Sequence, residues 1–300
     1  DYIKQEGKGA TPNDLLPIGD KIRAEQENMK RPAFAINPDS ALSNAKLLIV
    51  DEVSMVNETM GIDLETFGVP ILVLGDTAQL PPVKGGGYFT NTKPDIMLTE
   101  IHRQAAGSPI LKAATDVREG RGLEDSGDLI VPKGRLTIAD LAEYEQVLVG
   151  THKSRHAINT KMREHFDFPP GLPVTGDRII CTRNDSETGL LNGSQWMVHT
   201  VYEDPDDGRL GLTIKSVDGK ECMSVEAHRY PFLGEETPYF EMREAQCFEY
   251  AYAMTVHKAQ GSQFDRVVLV DESYKFPSYQ RRAWLYTGIT RAAKELVIIR

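Results

Sequence analysis

Two adjacent acids, Asp51 and Glu52, are the first residues whose types and position suggest chemistry. They directly follow Leu47 to Val50, a short apolar run of the kind that forms a buried strand. Carboxylates at the end of a buried strand are costly to hold there without a compensating partner. A Mg²⁺ ion with its waters would compensate them, with Asp51 holding the metal and Glu52 orienting an attacking water. A strand end that turns to solvent explains the pair equally well.

A second polar group follows the next apolar run, Pro70 to Leu74. The run stops at Gly75-Asp76, and Gln79 comes three residues later. If this strand lies beside the first, its end aims Gln79 at the same site, where a neutral amide can sense a terminal phosphate. The alternative is an ordinary turn between a strand and a helix, because Gly-Asp is common in turns.

The elements that must position these residues alternate between strand and helix patterns. A helical stretch, Glu58 to Phe67, separates the two apolar runs, which predicts buried parallel strands of a βαβ sheet. Ser108 to Arg118 has helical spacing, and a strand at Gln146 to Gly150 precedes another helix from about Ser154 to His165. The pattern is therefore that of an α/β protein.

Residues 172–246 depart from this pattern. They hold short alternating strands separated by turns such as Asn192-Gly193 and Asp218-Gly219, which predicts a small antiparallel barrel. Strand patterns of the α/β kind resume at Glu249 and continue to Ile299. The β-module is therefore predicted to be inserted into the second α/β lobe.

Composition excludes several classes of protein. The apolar share of 40% and the charged share of 26% are ordinary for a globular protein. The sequence contains no run of eighteen apolar residues, so no membrane-spanning helix is predicted. The three cysteines form no CxxC pair, so no zinc site or disulfide framework is indicated, and a cytoplasmic location is expected. The net charge of −10 argues against a protein whose whole surface is positively charged for binding nucleic acid, although a groove can be locally basic.

Five strings resemble motifs II to VI of superfamily one helicases, in the order and with the spacing of that family. They are DEVSM (Asp51 to Met55), GDTAQLPPV (Gly75 to Val83), LTEIHRQ (Leu98 to Gln104), TVHKAQGSQFD (Thr255 to Asp265) and LYTGITRA (Leu285 to Ala292). GTHKSRHAIN (Gly150 to Asn159) looks like an extra motif of the RecD/Dda branch. The resemblance covers roughly residues 45–300 and implies two RecA-like P-loop NTPase lobes, with a small SH3-like β-barrel inserted in the second.

The resemblance implies that this branch's cofactors, ATP and Mg²⁺, bind between the lobes. Asp51 and Glu52 match the Walker B pair, with Asp51 as the metal ligand, and Gln79 matches the sensor of the γ-phosphate. Arg103 and Arg291 match two arginines that hold the transferring phosphoryl group from opposite lobes, although an isolated arginine usually forms a surface ion pair. The positions that match residues near the nucleotide are Gly75, Asp76, Gly261 and Gln263.

The same resemblance implies contacts with single-stranded DNA and duplex junctions. Thr255, His257 and Lys258 match residues that touch the DNA backbone, and their side chains suit phosphate contacts, which fix register without reading bases. A structural histidine would explain His257 as well. Thr151 and Lys153, in the extra motif, are further candidates for the same role. Phe34 lies where related enzymes carry a strand-separating pin.

The sequence departs from the family at one point, because no GxxxxGK[ST] P-loop signature occurs in it. The family places this segment ahead of the equivalent of Asp1, so we expect it in residues that precede this stretch. The alternative is a degenerate lobe that binds nucleotide without hydrolysing it. Without the P-loop lysine and amides, we expect this stretch alone to have little or no ATPase activity.

These observations predict a division of the chain and a function. Residues 1–43 form an irregular segment with the pin, 44–120 a partial first lobe, and 121–145 a linker. Residues 146–177 and 247–300 form the second lobe around a barrel at 178–246. The predicted function is an ATP-dependent 5′-to-3′ DNA helicase and single-stranded DNA translocase. A non-catalytic nucleic-acid-binding or complex-forming subunit, and an RNA helicase of the same superfamily, are the alternatives.

Overall fold

Backbone hydrogen bonds build three sheets in the part of the chain that the computed structural model describes, which is residues 36–82, 85–98, 107–123, 127–203, 209–238 and 244–300. The chain divides into two compact units, Asp1–Asn44 and Ala45–Arg300. In the first unit, the described residues end in a 3₁₀ helix, Ala41–Asn44. All three sheets lie in the second unit.

The helices and strands of the second unit follow one another along the chain as strand–helix pairs interrupted by a run of strands. In chain order they are β1 (Leu48–Val50), α1 (Glu58–Glu65), β2 (Ile71–Val73), α2 (Pro109–Arg118), β3 (Ile130–Val131), α3 (Ile138–Ala142), β4 (Gln146–Val149), α4 (His152–His165), β5 (Arg178–Cys181), β6 (Gln195–Glu203), β7 (Arg209–Ser216), β8 (Cys222–His228), β9 (Phe248–Tyr250), β10 (Ala253–Thr255), β11 (Phe264–Val270), α5 (Ser278–Ile289) and β12 (Ala292–Ile299).

The first sheet consists of β1 and β2, which pair in parallel as the sequence predicts. The predicted burial of these strands is wrong. Ile49 and Leu72, which lie opposite each other in the register, are 57% and 47% exposed. Among the described residues this sheet has only two strands, so its apolar side chains keep much of their contact with solvent. The prediction assumed a wider sheet with both faces covered.

The second sheet is parallel and has five strands in the order β10-β4-β11-β12-β3. Strand β4, which lies between β10 and β11, is fully buried. On one face, Trp284 and Ile289 of α5 pack with Ile110 and Val117 of α2 in the main apolar core. On the other face, helices α3 and α4 pack in a second apolar cluster that includes Met162. A parallel sheet covered by helices on both faces is the architecture that the sequence predicts.

Two elements of this lobe lie in ranges that the sequence assigned elsewhere. Strand β3 and helix α3 lie within the predicted linker at 121–145. Helix α2, predicted as part of the first lobe, packs against α5 of the second. The division of the chain into domains stays a prediction.

The third sheet is antiparallel, with five strands in the order β8-β7-β6-β5-β9. The predicted turn at Asp218-Gly219 joins β7 to β8, and Gly219 adopts the left-handed conformation, with φ at 74°, that such a turn requires. Buried Trp196 and Phe248 belong to its apolar cluster. Closure of this sheet into an SH3-like barrel stays a prediction. Among the described helices, none combines the length and apolarity that crossing a membrane would require.

A buried ion pair joins the antiparallel sheet to the parallel one. Asp177, immediately before β5, is fully buried and accepts hydrogen bonds of 3.0 Å from Nε and Nη2 of Arg163 on α4. It also accepts the N–H of Val174 at 2.8 Å and the hydroxyl of Tyr252 at 2.9 Å. Burial, and next Asp177, raises the pKa of Tyr252, so this hydroxyl remains a donor at neutral pH. The carboxylate is therefore fully compensated.

Asp177→Asn should strongly destabilise the chain because it leaves the buried guanidinium of Arg163 without its countercharge. Breaking one side of a buried pair costs about 3–5 kcal/mol, which urea denaturation would measure as a lower midpoint. Lys294→Gln, which removes an exposed ion pair with Asp265, is the control and should leave the midpoint unchanged. Equal midpoints for the two variants would contradict this role for Asp177.

Candidate functional site

The acid pair lies on a strained turn at the carboxyl end of β1. Glu52 has φ at 50° and ψ at 44°, in the left-handed region, and its N–H donates to Oδ1 of Asp51 at 2.7 Å. A residue other than glycine held in this region costs about 1 kcal/mol or more, and such strain concentrates at functional sites. The side chain of Asp51 is exposed. The turn therefore leaves this carboxylate accessible to a cation and its waters.

The donor set at Asp51 fits a Mg²⁺ ion that keeps most of its water ligands. Within the described ranges, no three His, Cys, Asp or Glu side chains converge to form a metal cage. Mg²⁺ is commonly held by one or two protein carboxylates together with waters and substrate phosphates. A single exposed aspartate beside a glutamate suits that mode of binding.

The segment that carries Gln79 lies directly against the acid turn. The N–H of Leu74 donates to the carbonyl of Val50 at 2.8 Å, and the N–H of Val53 donates to the carbonyl of Leu74 at 3.0 Å. A side chain on Gly75 would collide with Val53, since an added Cβ would lie 2.7 Å from Val53 Cγ1. The glycine thus allows the two strand ends to approach each other, as the sequence predicts for this edge.

Hydrogen bonds tie the Gln79 segment to α5 and to the loop between β10 and β11. The N–H of Leu80 donates to the hydroxyl of Thr287 at 2.9 Å, and the carbonyl of Leu80 accepts from Nε2 of Gln260 at 2.9 Å. Leu80 and Thr287 are fully buried. The hydroxyl of Tyr286 donates to Oδ2 of Asp76. Burial first, then this bond to Asp76, raises the pKa of Tyr286, so the phenol stays protonated and the bond persists at neutral pH.

A cavity of about 220 Å³ lies where these segments meet α2 and α5. Ser54, from the acid turn, and Gln79 both line it. The hydroxyl of Ser54 and Oε1 of Gln79 are buried and have no hydrogen-bond partner among the described residues. A buried polar atom without a hydrogen bond destabilises the folded protein unless a ligand or a water molecule supplies the missing partner. The cavity thus has the character of a binding site.

Two arginines that the sequence analysis did not select also line this cavity. Arg118 ends α2 and Arg282 lies on α5, and both line the cavity together with Gln79. No ion pair or hydrogen bond of either guanidinium appears within the described part of the chain. Nothing local in the sequence separates them from ordinary surface arginines, because only the packing of α2 on α5 brings them here.

Arg291 and the motif around Gly261 form a separate group within the second lobe. Arg291 is 1% exposed, and its guanidinium donates to the carbonyls of Thr287 and Ser262 and to the hydroxyl of Thr290, at 3.0 to 3.2 Å. Gly261, with φ at 76°, is exposed, as is Gln263. The structure brings Arg291 beside this turn but does not place it on the wall of the Gln79 cavity. Arg103 lies outside the described residues.

The predicted DNA-contacting residues gather at the carboxyl ends of adjacent strands β4 and β10. Thr151 follows β4 and caps α4, and Lys153 is exposed on the first turn of that helix. Beyond β10, burial and His152 lower the pKa of the half-buried His257, which favours a neutral imidazole. Phe34 lies outside the described residues.

Two of these residues make defined contacts. Burial lowers the pKa of Lys258, whose Nζ donates to Oδ1 of Asn192 at 2.6 Å in the turn before β6. The hydroxyl of the buried Thr255 accepts the N–H of Lys258 at 3.3 Å. Thr255 therefore shapes the turn that presents Lys258, while the antiparallel sheet helps to orient the ammonium.

Comparisons with known proteins agree with this architecture. The AAA domain family matches residues 18–140, and the UvrD-like helicase C-terminal domain family matches residues 250–299. The ATP-dependent RecD2 DNA helicase of Deinococcus radiodurans is 28% identical over 275 residues, which cover 82% of this chain and 35% of that protein. The RecBCD enzyme subunit RecD of Mycobacterium tuberculosis is 24% identical over 290 residues, which cover 84% of this chain and 49% of that protein.

Solved structures show the same fold. The Bacteroides Pif1 helicase in complex with ADP-AlF3 and ssDNA aligns with a TM-score of 0.61 at 21% identity, over 89% of this chain and 75% of that one. The two family matches, in this order along the chain, and the relatives show that the chain is similar to helicases of the RecD-like kind. The chain spans between about a third and a half of the length of these two curated relatives.

Thr287→Val should destabilise the chain because it removes the acceptor of the Leu80 N–H at a fully buried position. An unsatisfied buried donor costs about 1–3 kcal/mol, which urea denaturation would measure. Thr213→Val is the matched control, since its exposed hydroxyl pairs only with Ser224. If both variants unfold at the same urea concentration, the Leu80–Thr287 bond is not a structural link between the lobes.

Proposed function

We propose that this chain is part of an ATP-dependent DNA helicase that translocates along single-stranded DNA in the 5′-to-3′ direction. The observation that carries the proposal is the cavity at the junction of the lobes. Ser54 and Gln79, whose side chains each carry a buried atom without a hydrogen-bond partner among the described residues, line the cavity together with Arg118 and Arg282. Guanidinium groups suit phosphate oxygens, and a cleft between two lobes can assemble them around a transferring group.

ATP and Mg²⁺ are the proposed cofactors. The exposed carboxylate of Asp51 would hold the metal, and the neighbouring Glu52 would orient the attacking water. Bound Mg²⁺–ATP supplies the phosphoryl group whose transfer to water provides the free energy for movement. Support comes from the relatives, since RecD2 is an ATP-dependent DNA helicase and the Bacteroides Pif1 structure contains ADP-AlF3. The P-loop that this chemistry requires would come from residues outside this stretch.

Coupling between the lobes would run through the Gln79 segment. Its amide would respond to the terminal phosphate, and the bonds from Leu80 to Thr287 and Gln260 would carry any displacement into the second lobe. The Tyr286–Asp76 bond anchors the start of the same segment. Arg103 and Arg291 are the other proposed phosphate ligands, and closure of the lobes would have to exchange the present acceptors of Arg291 for phosphate oxygens.

Single-stranded DNA is the proposed polymer substrate, gripped through its phosphates at the carboxyl edge of the second sheet. The exposed Lys153 and the neighbouring Thr151, His257 and Lys258 would make contacts that do not depend on base sequence. The Bacteroides Pif1 structure contains single-stranded DNA, which supports this assignment. A cytoplasmic location remains part of the proposal.

Glu52→Gln in the complete protein should retain nucleotide binding and lose turnover. The amide preserves the size of the side chain but cannot activate water, so steady-state ATPase should fall by about 100-fold or more. Equilibrium titration with a fluorescent ATP analogue should give nearly the wild-type affinity. Glu221→Gln, an exposed change in the antiparallel module, is the control. Normal turnover in Glu52→Gln would refute the assignment of this carboxylate.

The direction of movement has its own test. On duplexes with a single-stranded tail at one end, the complete protein should unwind the 5′-tailed substrate and leave the 3′-tailed substrate intact, as measured by strand release of a fluorescent oligonucleotide. Single-stranded DNA should stimulate the ATPase more strongly than RNA of the same length. Unwinding from the 3′ tail alone would reject the polarity, and preferential stimulation by RNA would favour an RNA helicase.

A further inference from the structure

A buried carboxylate occupies the amino terminus of the helix that carries two of the proposed DNA contacts. Glu272, just after β11, is 5% exposed. Its Oε2 accepts the N–H groups of Gly150 at 2.8 Å and Thr151 at 3.1 Å, and its Oε1 accepts the hydroxyl of Ser154 at 2.6 Å. Lys275 forms an ion pair with the same carboxylate. One carboxylate thus lies within hydrogen-bond distance of five donors, four of them in residues 150–154 and the fifth on Lys275.

These bonds keep the carboxylate charged. Burial alone would raise the pKa of Glu272, but donation from Lys275, Ser154 and Gly150 outweighs it, and the pKa lies below its usual value. A negative charge at this end of α4, a helix of 14 residues, also interacts favourably with the helix dipole. The contact is therefore maintained throughout the neutral pH range.

The packing leaves little freedom for the two loops to separate. An added Cβ on Gly150 would lie 2.8 Å from Cβ of Glu272 and 3.1 Å from Cε2 of Phe276. Phe276 also contacts the ring of His257, at 5.8 Å between centroids. The ends of β4, β10 and β11 are therefore held together by one carboxylate and one aromatic ring.

We infer that Glu272 is a positioning residue for the grip on single-stranded DNA. Its carboxylate fixes Thr151 and the first turn of α4, which carries Lys153, against the loop whose Phe276 contacts His257. The same carboxylate occupies the amides of Gly150 and Thr151, immediately before α4, so these two amides do not bind a backbone phosphate. The inference rests on the proposed function, because it names how the DNA-facing edge is kept in shape.

The test compares Glu272→Ala with the conservative Glu272→Gln in the complete protein. The alanine variant removes every acceptor, whereas glutamine keeps an oxygen for the amides of Gly150 and Thr151. We expect Glu272→Ala to weaken binding of fluorescein-labelled oligothymidine by about tenfold, the scale of one hydrogen bond to a charged group. Its log–log salt slope should become shallower by about 0.7 for each DNA phosphate that the variant no longer neutralises. Glu272→Gln should bind within about threefold of wild type.

Glu164→Gln, an exposed change on the same helix, controls for the loss of a negative charge. All measurements are made well below each variant's melting temperature. Unchanged affinity in a folded Glu272→Ala variant would reduce Glu272 to a purely structural residue and overturn the inference. Tighter binding with a steeper salt slope in both variants would also overturn it, because Glu272 would then act by repelling the strand. Failure of the wild-type protein to bind the oligonucleotide would overturn the proposed function, and the inference with it.

Discussion

The hydrogen bonds of Leu80 are the constraint on which the proposed coupling between the lobes depends. Leu80 lies in the first lobe's Gln79 segment, yet its N–H and its carbonyl are both satisfied by side chains of the second lobe, Thr287 and Gln260. Leu80 is fully buried, so breaking these bonds without replacement would leave costly unsatisfied polar groups. The segment that carries the proposed phosphate sensor is therefore bonded to the elements that carry Thr287 and Gln260, and this is the path along which we propose that nucleotide and DNA are coupled.

We propose that strand β11 carries this coupling from one end of the parallel sheet to the other. The amino end of β11 lies beside Arg291, whose carbonyl accepts the N–H of Phe264. Its carboxyl end leads to Glu272 and the proposed DNA edge. Seven residues at roughly 3.3 Å each span more than 20 Å, and buried parallel strands on both sides stiffen the path. Arg291 and the proposed DNA contacts thus lie at opposite ends of the same sheet.

Much of the fold could be predicted from the sequence, because apolar runs, helical spacing and turn residues act locally. The two apolar runs predicted neighbouring parallel strands, and the pairing of β1 with β2 confirms it. The burial of these two strands was predicted wrongly, since burial depends on what covers a sheet and a run of apolar letters does not record that. Arg118 and Arg282 were missed for the same reason: their proximity to Gln79 arises only from the packing of two helices.

Two pairs of adjacent acids show most clearly what the sequence alone does not predict. Asp51-Glu52 and Asp271-Glu272 both follow an apolar strand, and the letters alone do not separate their roles. In the structure Asp51 is exposed and open to a cation, whereas Glu272 is buried and bonded to the amides before α4.

A structure of the complete protein with Mg²⁺, a non-hydrolysable ATP analogue and single-stranded DNA would test the central claim most directly. We predict a metal ion at Asp51, the terminal phosphate within hydrogen-bond distance of the Gln79 amide, and the Leu80–Thr287 bond intact. A nucleotide bound away from the junction of the lobes, with Gln79 facing no phosphate, would contradict the proposed coupling.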